Sequence, residues 1–477
     1  MKKALFIVIA LVLAVSVGLI GCAGGGGEKA PDYVYIFASR SISGPLSVFE
    51  QTAMGPIYKY WRHVVNDVKG GIYVPEFDKK IPVYIDVKDD GSDMNTMTSY
   101  YDTYLPTGKY IAAIGPCCTP FLQAAGPKAS LYGVPLAGAE GGCTSVAKEM
   151  YKYPYMFSNL AFSDWDQVPA LCAMLNEWAA KEEDRKVDVY ILYIDDLFGY
   201  EYTEQFEQFS ANYTTINILG KLAHPPFDTH DIQAHVQTAY DAGADVLILN
   251  TYPPSPHAAV GYAIEHNLNF KGIVTGPAAC YENWYTQYFG RMAEGICGYG
   301  AWNEYSSTSL HNFAQDIVAW MGTTSELGSP APGRNLMDWW GGIYYYAGLE
   351  MLEQAIATAG NYTRVAVREV LATQKLPTIA SPQTYYTTYN GTWPIGYSGG
   401  LFAKACHVGE VGQWQHVTAA NQWRPDGDTT GPARTKPAGI AGNATEWMIF
   451  EVVSYSSQKT ANWIYPKPTW AELGGGG

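Results

Sequence analysis

Short apolar runs rich in β-branched and aromatic residues alternate with stretches of helical period along most of the chain, the pattern of successive βα units around a largely parallel sheet. Residues 33–38 read as the first strand, which ends in the loop Ser41-Ile42-Ser43-Gly44-Pro45. A helix over 54–68 follows and stops at Lys69-Gly70-Gly71, where glycine suits a helix C-terminus. Further strands are predicted at 81–87, 110–115 and 134–138, with helices at 94–104 and 121–132 between them. The alternation restarts with a buried strand at 187–193, the loop Asp195-Asp196-Leu197-Phe198-Gly199-Tyr200 and a helix to about Ser210. Strands at 216–219, 244–250 and 272–276 and helices at 231–242 and 257–266 complete a second series of similar size. Helices are predicted at 337–359 and 362–371, and 382–397 is irregular and tyrosine-rich. The tail 427–477, with Thr429-Thr430-Gly431-Pro432 and Pro466-Lys467-Pro468, reads as loop-dominated.

One apolar run differs from all of these. Met1-Lys2-Lys3 is a short positive start, 4–19 is uninterrupted apolar sequence, and Leu19-Ile20-Gly21-Cys22 follows at once, the order of a secretory signal. Leu-Ile-Gly-Cys resembles the bacterial lipobox, which implies cleavage before Cys22 and a lipid on its thiol. A plain membrane-spanning segment is the competing reading, but such a span has no need of a cysteine at its outer edge. Residues 23–31, opening on Ala23-Gly24-Gly25-Gly26-Gly27, suit a tether. No later stretch is long and apolar enough to span a bilayer, and the remainder is long enough for two domains.

Charge narrows the partners. The net charge is -15, and loss of Lys2 and Lys3 with the signal makes it more negative, so non-specific binding to nucleic acid is not expected. Beyond Cys22 stand Cys117, Cys118, Cys143, Cys172, Cys280, Cys297 and Cys406, an odd number that leaves one thiol unpaired even if bridges form. No Cys-x-x-Cys and no His/Cys cluster at zinc spacing is present, so neither metal nor cofactor is expected. Gly396-Tyr397-Ser398-Gly399-Gly400 fits the nucleophile-elbow pattern of serine hydrolases. Pro394 spoils the strand that should precede it, and His407 and His416 come before Asp426 and Asp428, the wrong order for a Ser398 triad.

The chain resembles the periplasmic solute-binding proteins of the leucine/isoleucine/valine-binding type. The likeness rests on Ser43-Gly44-Pro45-Leu46, Asn66-Asp67-Val68-Lys69-Gly70-Gly71-Ile72, Ala113-Ile114-Gly115-Pro116 and Asp195-Asp196-Leu197-Phe198-Gly199, in that order. Asp228 and Asp231 ahead of a helix, and the Tyr-Tyr-Ala-Gly-Leu-Glu run within 339–359, add to it. The resemblance covers about 32–423. It implies a type I periplasmic binding protein fold, α/β, with two doubly wound lobes joined by three crossings near 157–162, 298–304 and 393–402. The expected partition is 32–158 with 303–394 as lobe 1, 159–302 with 395–426 as lobe 2, and 427–477 as a loop-rich extension. The implied function is capture of a small organic ligand (amino acid, amide, or aromatic or aliphatic carboxylate) for delivery to ABC transporter permease subunits. A ligand sensor of the same fold is the alternative.

Candidate contacts carry over by position. Thr119 matches the family's carboxylate-binding hydroxyl, with a helix cap as its other reading. Ala139, Glu140 and Gly141 match the loop that holds an amino-acid head group. Phe198 and Tyr252 match the aromatic lid, or else pack in the core. Where amino-acid binders of the family carry a carboxylate for the ligand's ammonium, this chain has Ala278-Ala279-Cys280. An ammonium buried without an anion is costly, so Glu140 or Glu282 substitutes, or the ligand has no ammonium. Arg40 could meet a ligand carboxylate, although an exposed salt bridge is its ordinary reading.

Overall fold

The computed structural model describes residues 29–138, 152–158, 163–227, 229–300, 302–328, 333–386, 411–425, 433–454 and 459–474. The chain divides into two compact units, Met1–Asp32 and Tyr33–Gly477, and the regular structure described below lies in the second.

Two sheets organise that unit. The first is five-stranded and parallel, in the spatial order Val83–Asp89, Val34–Arg40, Ala112–Ile114, Leu136–Gly138, Met156–Ser158. Its strand Val34–Arg40 is buried at six of seven positions, which requires helices on both faces. The second sheet has eight strands. Ile216–His224, Val187–Ile194, Val246–Thr251, Gly272–Pro277 and Ile296–Tyr299 run parallel, as the second βα series predicts. Beyond Ile296–Tyr299 the sheet turns antiparallel with Val411–Thr418, which pairs in turn with Glu446–Val452. The tail therefore contributes a strand where the sequence reading expected loop. Its seven residues carry the buried run Met448-Ile449-Phe450, whose burial outweighs the surrounding glycine and proline.

Helix positions follow the prediction closely, with two informative departures. The helix after the first strand spans 47–68 and contains two wider turns, Glu50–Met54 and Val64–Val68, around the regular stretch Gly55–His63. Such π-type turns occur mostly where side chains must be re-aimed at a functional site. The second departure is at 337–341, expected to be helical. Here the helix starts only at Gly342, after a bridging residue at Asp338 and bends at Trp339, Trp340 and Gly341. Tyr281 and Asp338 form an antiparallel bridge, Glu282 N donates to Met337 O (3.0 Å), and Trp339 N donates to Cys280 O (2.8 Å). The Asp338 carboxylate then accepts from Trp340 N (2.7 Å) and Gly341 N (3.0 Å), which turns the chain into the helix.

Two buried arginines are held by carboxylates. Arg40 Nε donates to Glu50 (2.9 Å) and Nη1 to Gly115 O (2.7 Å), while Tyr58 donates to the same carboxylate (2.6 Å). Arg334 contacts Glu282 and Glu304, each at 2.7 Å. Among the described residues no helix is long and apolar enough to cross a membrane.

Candidate functional site

The carboxyl ends of both parallel sheets face one another across a cleft, the position at which open α/β sheets place ligands. Its wall comprises Phe49, Met54, Cys118, Thr119, Phe198, Tyr252, Pro277 and Trp340. Three of the eight, Thr119, Phe198 and Tyr252, are residues that the sequence reading selected.

Thr119 opens the helix Thr119–Leu131, and the capping position belongs to Cys118, whose φ of 61° bends the chain out of the preceding strand. The cap reading of Thr119 is therefore replaced by a place on the cleft wall. Phe198 is the second residue of the helix Leu197–Ser210. Asp196 caps that helix by accepting from Gly199 N (3.1 Å), and its burial pushes its carboxyl up to about 6. Phe198 stacks on Tyr252, which follows the strand Val246–Thr251, with centroids 4.8 Å apart at 24°. Phe49, from the other lobe, meets Tyr252 edge-on at 5.6 Å. The aromatic lid is thus a three-ring contact across the lobes, favoured beyond its buried area by edge-to-face geometry.

Trp340 supplies the remaining flat surface. Gly300 makes room for it: φ there is +82°, and a Cβ would come within 2.6 Å of the Trp340 indole. The Trp340 Nε1–H is buried and makes no hydrogen bond among the described residues. The sequence reading missed Trp340 because it assigned the Trp-Trp-Gly-Gly run to a helix, although the paired glycines marked a change of conformation. Phe49 and Met54 were missed for another reason. Their aim depends on the wide turn Glu50–Met54, which hydrophobic periodicity does not report.

Along 59–393 the chain matches the family model described as periplasmic binding protein. The chain belongs to the periplasmic binding protein family. No curated protein sequence matches it. The solved structures include a leucine-binding protein from Thermotoga maritima (14% identity, 80% of this chain and 94% of that one, TM-score 0.60). Another is a solute-binding protein from Rhodopseudomonas palustris in complex with 3,4-dihydroxybenzoic acid (15%, 73% and 87%, 0.58). A third is a branched-chain amino acid transporter substrate-binding protein from Streptococcus pneumoniae in complex with isoleucine (16%, 80% and 95%, 0.59). At these identities the likeness shows the type I two-lobed fold.

Several expectations for this periplasmic binding protein change on inspection. Arg40 does not line the cleft. It is fully buried rather than exposed, and its carboxylate partner is Glu50, because a buried guanidinium needs an internal counter-charge. Ala278 is buried in the short turn Ala278–Cys280, and Pro277 before it forms the wall instead. Glu282 cannot serve as anion for a ligand ammonium. It is wholly buried, bonded to Arg334, and accepts from the indoles of Trp339 (2.8 Å) and Trp447 (3.0 Å). Cys118, Cys172, Cys280 and Cys297 are buried thiols without disulfide bonds, and burial pushes those of Cys172, Cys280 and Cys297 upward. Cys22, Ala139, Glu140, Gly141, Cys143, Ser398, Cys406 and the crossing at 393–402 lie outside the described residues.

Proposed function

We propose that this periplasmic binding protein captures a small planar acid or amide lacking a buried ammonium, and passes it to the permease of an ABC importer. The carrying observation is the pairing of an aromatic-walled cleft with the commitment of Glu282 to Arg334. In this reading Thr119 and the start of its helix receive the ligand's carboxylate or carbonyl. Phe49, Phe198, Tyr252 and Trp340 sandwich the body of the ligand, and the Trp340 N–H offers a donor to a ligand oxygen. Closure of the lobes 32–158 with 303–394 and 159–302 with 395–426 removes water and strengthens those few polar contacts. The lipobox sequence supports an anchor: cleavage before Cys22 and acylation of its thiol keep the body outside the cytoplasm at a membrane surface.

The test is a thermal-shift screen over benzoates, aliphatic acids, amides and amino acids. A bound ligand raises Tm by mass action, by about 2.7 kcal/mol of stability at a hundredfold excess over Kd. Acids or amides without an amino group are expected to respond. A response confined to amino acids and abolished by Glu140→Gln would replace this reading with an amino-acid receptor. Turnover of a generic ester, lost on Ser398→Ala, would overturn the non-enzymatic reading.

A further inference from the structure

Half of the large apolar side chains that stand exposed on the described surface gather at one place. Tyr33, Val68, Tyr73, Tyr84, Leu131 and Val365 are six of the twelve. All lie at the amino-terminal edge of the five-stranded sheet, opposite the cleft. The topology requires this, because a helix that follows a parallel strand runs back and ends at the strand's starting edge. Val68 closes the helix 47–68, whose Asn66 exchanges hydrogen bonds with Val83 at the start of the neighbouring strand (2.8 and 2.9 Å). Leu131 closes the helix Thr119–Leu131. Val365 follows Arg364, whose guanidinium binds the carbonyls of Leu105, Tyr110 and Tyr132 at the same edge.

The aromatic members form a connected surface. The rings of Tyr33, Tyr35 and Tyr84 lie 5.8 Å from one another, and Lys109 Nζ sits over Tyr35 at 4.7 Å. Beside them, the hairpin Ile72–Val74 with Lys79–Ile81 presents Tyr73 and two exposed lysines. Neither Lys79 nor Lys80 has a carboxylate partner among the described residues; Lys80 donates to Lys69 O (2.7 Å). Exposed Asp67, Glu76 and Asp78 stand on the same surface, and Tyr73 donates to Asp78 (2.9 Å), so on a chain of net charge -15 this patch of tyrosines, aliphatic tips and lysines is close to balanced in charge. It is also where the tether enters. Cys22 precedes Tyr33 by eleven residues, which extended reach no more than about 40 Å.

We infer that this foot of the first lobe rests on the phospholipid headgroup layer of the bilayer that holds the Cys22 anchor. The inference rests on the anchored reading given above. Tyrosine is suited to that layer, its ring lying among the upper acyl chains and its hydroxyl in the wet headgroups. Lys79 and Lys80 meet anionic headgroups, whose surface potential attracts them. The foot of the second lobe is covered by the chain's own tail, so among the described residues the bilayer has one bare apolar foot to receive.

The test uses the full chain, acylated in cells and reconstituted in vesicles containing anionic phospholipid. An environment-sensitive fluorophore is attached through Leu131→Cys, and in a second sample through Tyr240→Cys on the other lobe, against the same labelling of the unsubstituted chain. Nitroxide carried on lipid headgroups is the quencher. Quenching at position 131 is expected to exceed that at 240 by at least about threefold, and Lys79→Glu with Lys80→Glu to reduce it about twofold. Equal quenching at both positions on protein of acylated mass overturns the foot contact and leaves the anchor standing. Protein whose mass carries no acyl chains overturns the anchor reading and this inference together. Shielding of position 131 that persists in detergent micelles and grows with protein concentration assigns the foot to a second copy of the chain, and overturns the inference as well.

Discussion

The two lobes share one construction and finish it differently. Each is built on parallel strands with helices, and each turns its carboxyl edge to the cleft. At the opposite edge they part. The second lobe is sealed by residues 459–474: Trp470 is fully buried with Nε1 donating to Leu268 O (2.9 Å), Lys467 N donates to Lys271 O (2.7 Å), and Tyr465 stacks on Trp178 at 4.5 Å. The Lys467 ammonium lies over the Trp470 ring at 3.4 Å, and burial pushes it down to about 8. Among the described residues the first lobe has no such cover, and Val68 and Leu131 stand 69% exposed. The difference teaches that a βα lobe does not close its own foot; something else must, whether a tail of the same chain or an outside surface.

The largest expected effects test the buried charges and the sealed foot. Arg334→Met strands Glu282 and Glu304, and Arg40→Met strands Glu50, so each should lower unfolding free energy by about 3–5 kcal/mol in urea. A change near zero at either position would show that the guanidinium there is not needed to hold its carboxylates inside. Trp470→Ala opens the sealed foot and should remove about 3–5 kcal/mol by the same measurement.

Acidity should move the lobes in opposite directions. In the first, burial raises the Glu350 carboxyl to about 7, so the folded state holds a proton that the unfolded chain has lost above about 4.5. Its contribution is present below pH 4.5 and disappears as pH rises to 7, an effect of roughly 1–3 kcal/mol that Glu350→Gln should flatten. In the second, burial lowers His257 to about 4 beside Trp284 and Tyr288. That group disfavours folding as pH falls from 6.5 towards 4, and His257→Leu should remove the slope. Stability measured from pH 4 to 8 checks both signs.

Smaller effects concern the cleft and the bare foot. Trp340→Phe keeps a flat wall and loses the N–H, so calorimetry with a ligand from the screen should show about tenfold weaker binding, 1.4 kcal/mol, with Tm unchanged. Tyr84→Ser should change stability by no more than about 0.5 kcal/mol, in contrast to Trp470→Ala, because its ring is exposed.

How far the sequence can be read follows the same division between local and distant causes. Strands and helices of both series were legible because hydrophobic period and glycine stops are local, and so was the place of Thr119, Phe198 and Tyr252 at strand ends. Glu282 looked available because its partner Arg334 lies 52 residues away and nothing nearby announces it. Arg40 looked exposed for a like reason: Glu50 faces it only through the wide turn of the following helix. The tail strand Glu446–Val452 was hidden by its surroundings, since it pairs with Val411–Thr418 and lacks a helix to complete a βα signature.

The seven-residue strand Val34–Arg40 has its foot at Tyr33 and its other end near the cleft, a separation of roughly 23 Å. If the receptor stands on that foot as inferred above, its mouth points outward, towards arriving solute. Delivery to a permease in the same bilayer would then demand that the whole body tip over on its leash, so that loading and unloading would be two postures of one molecule.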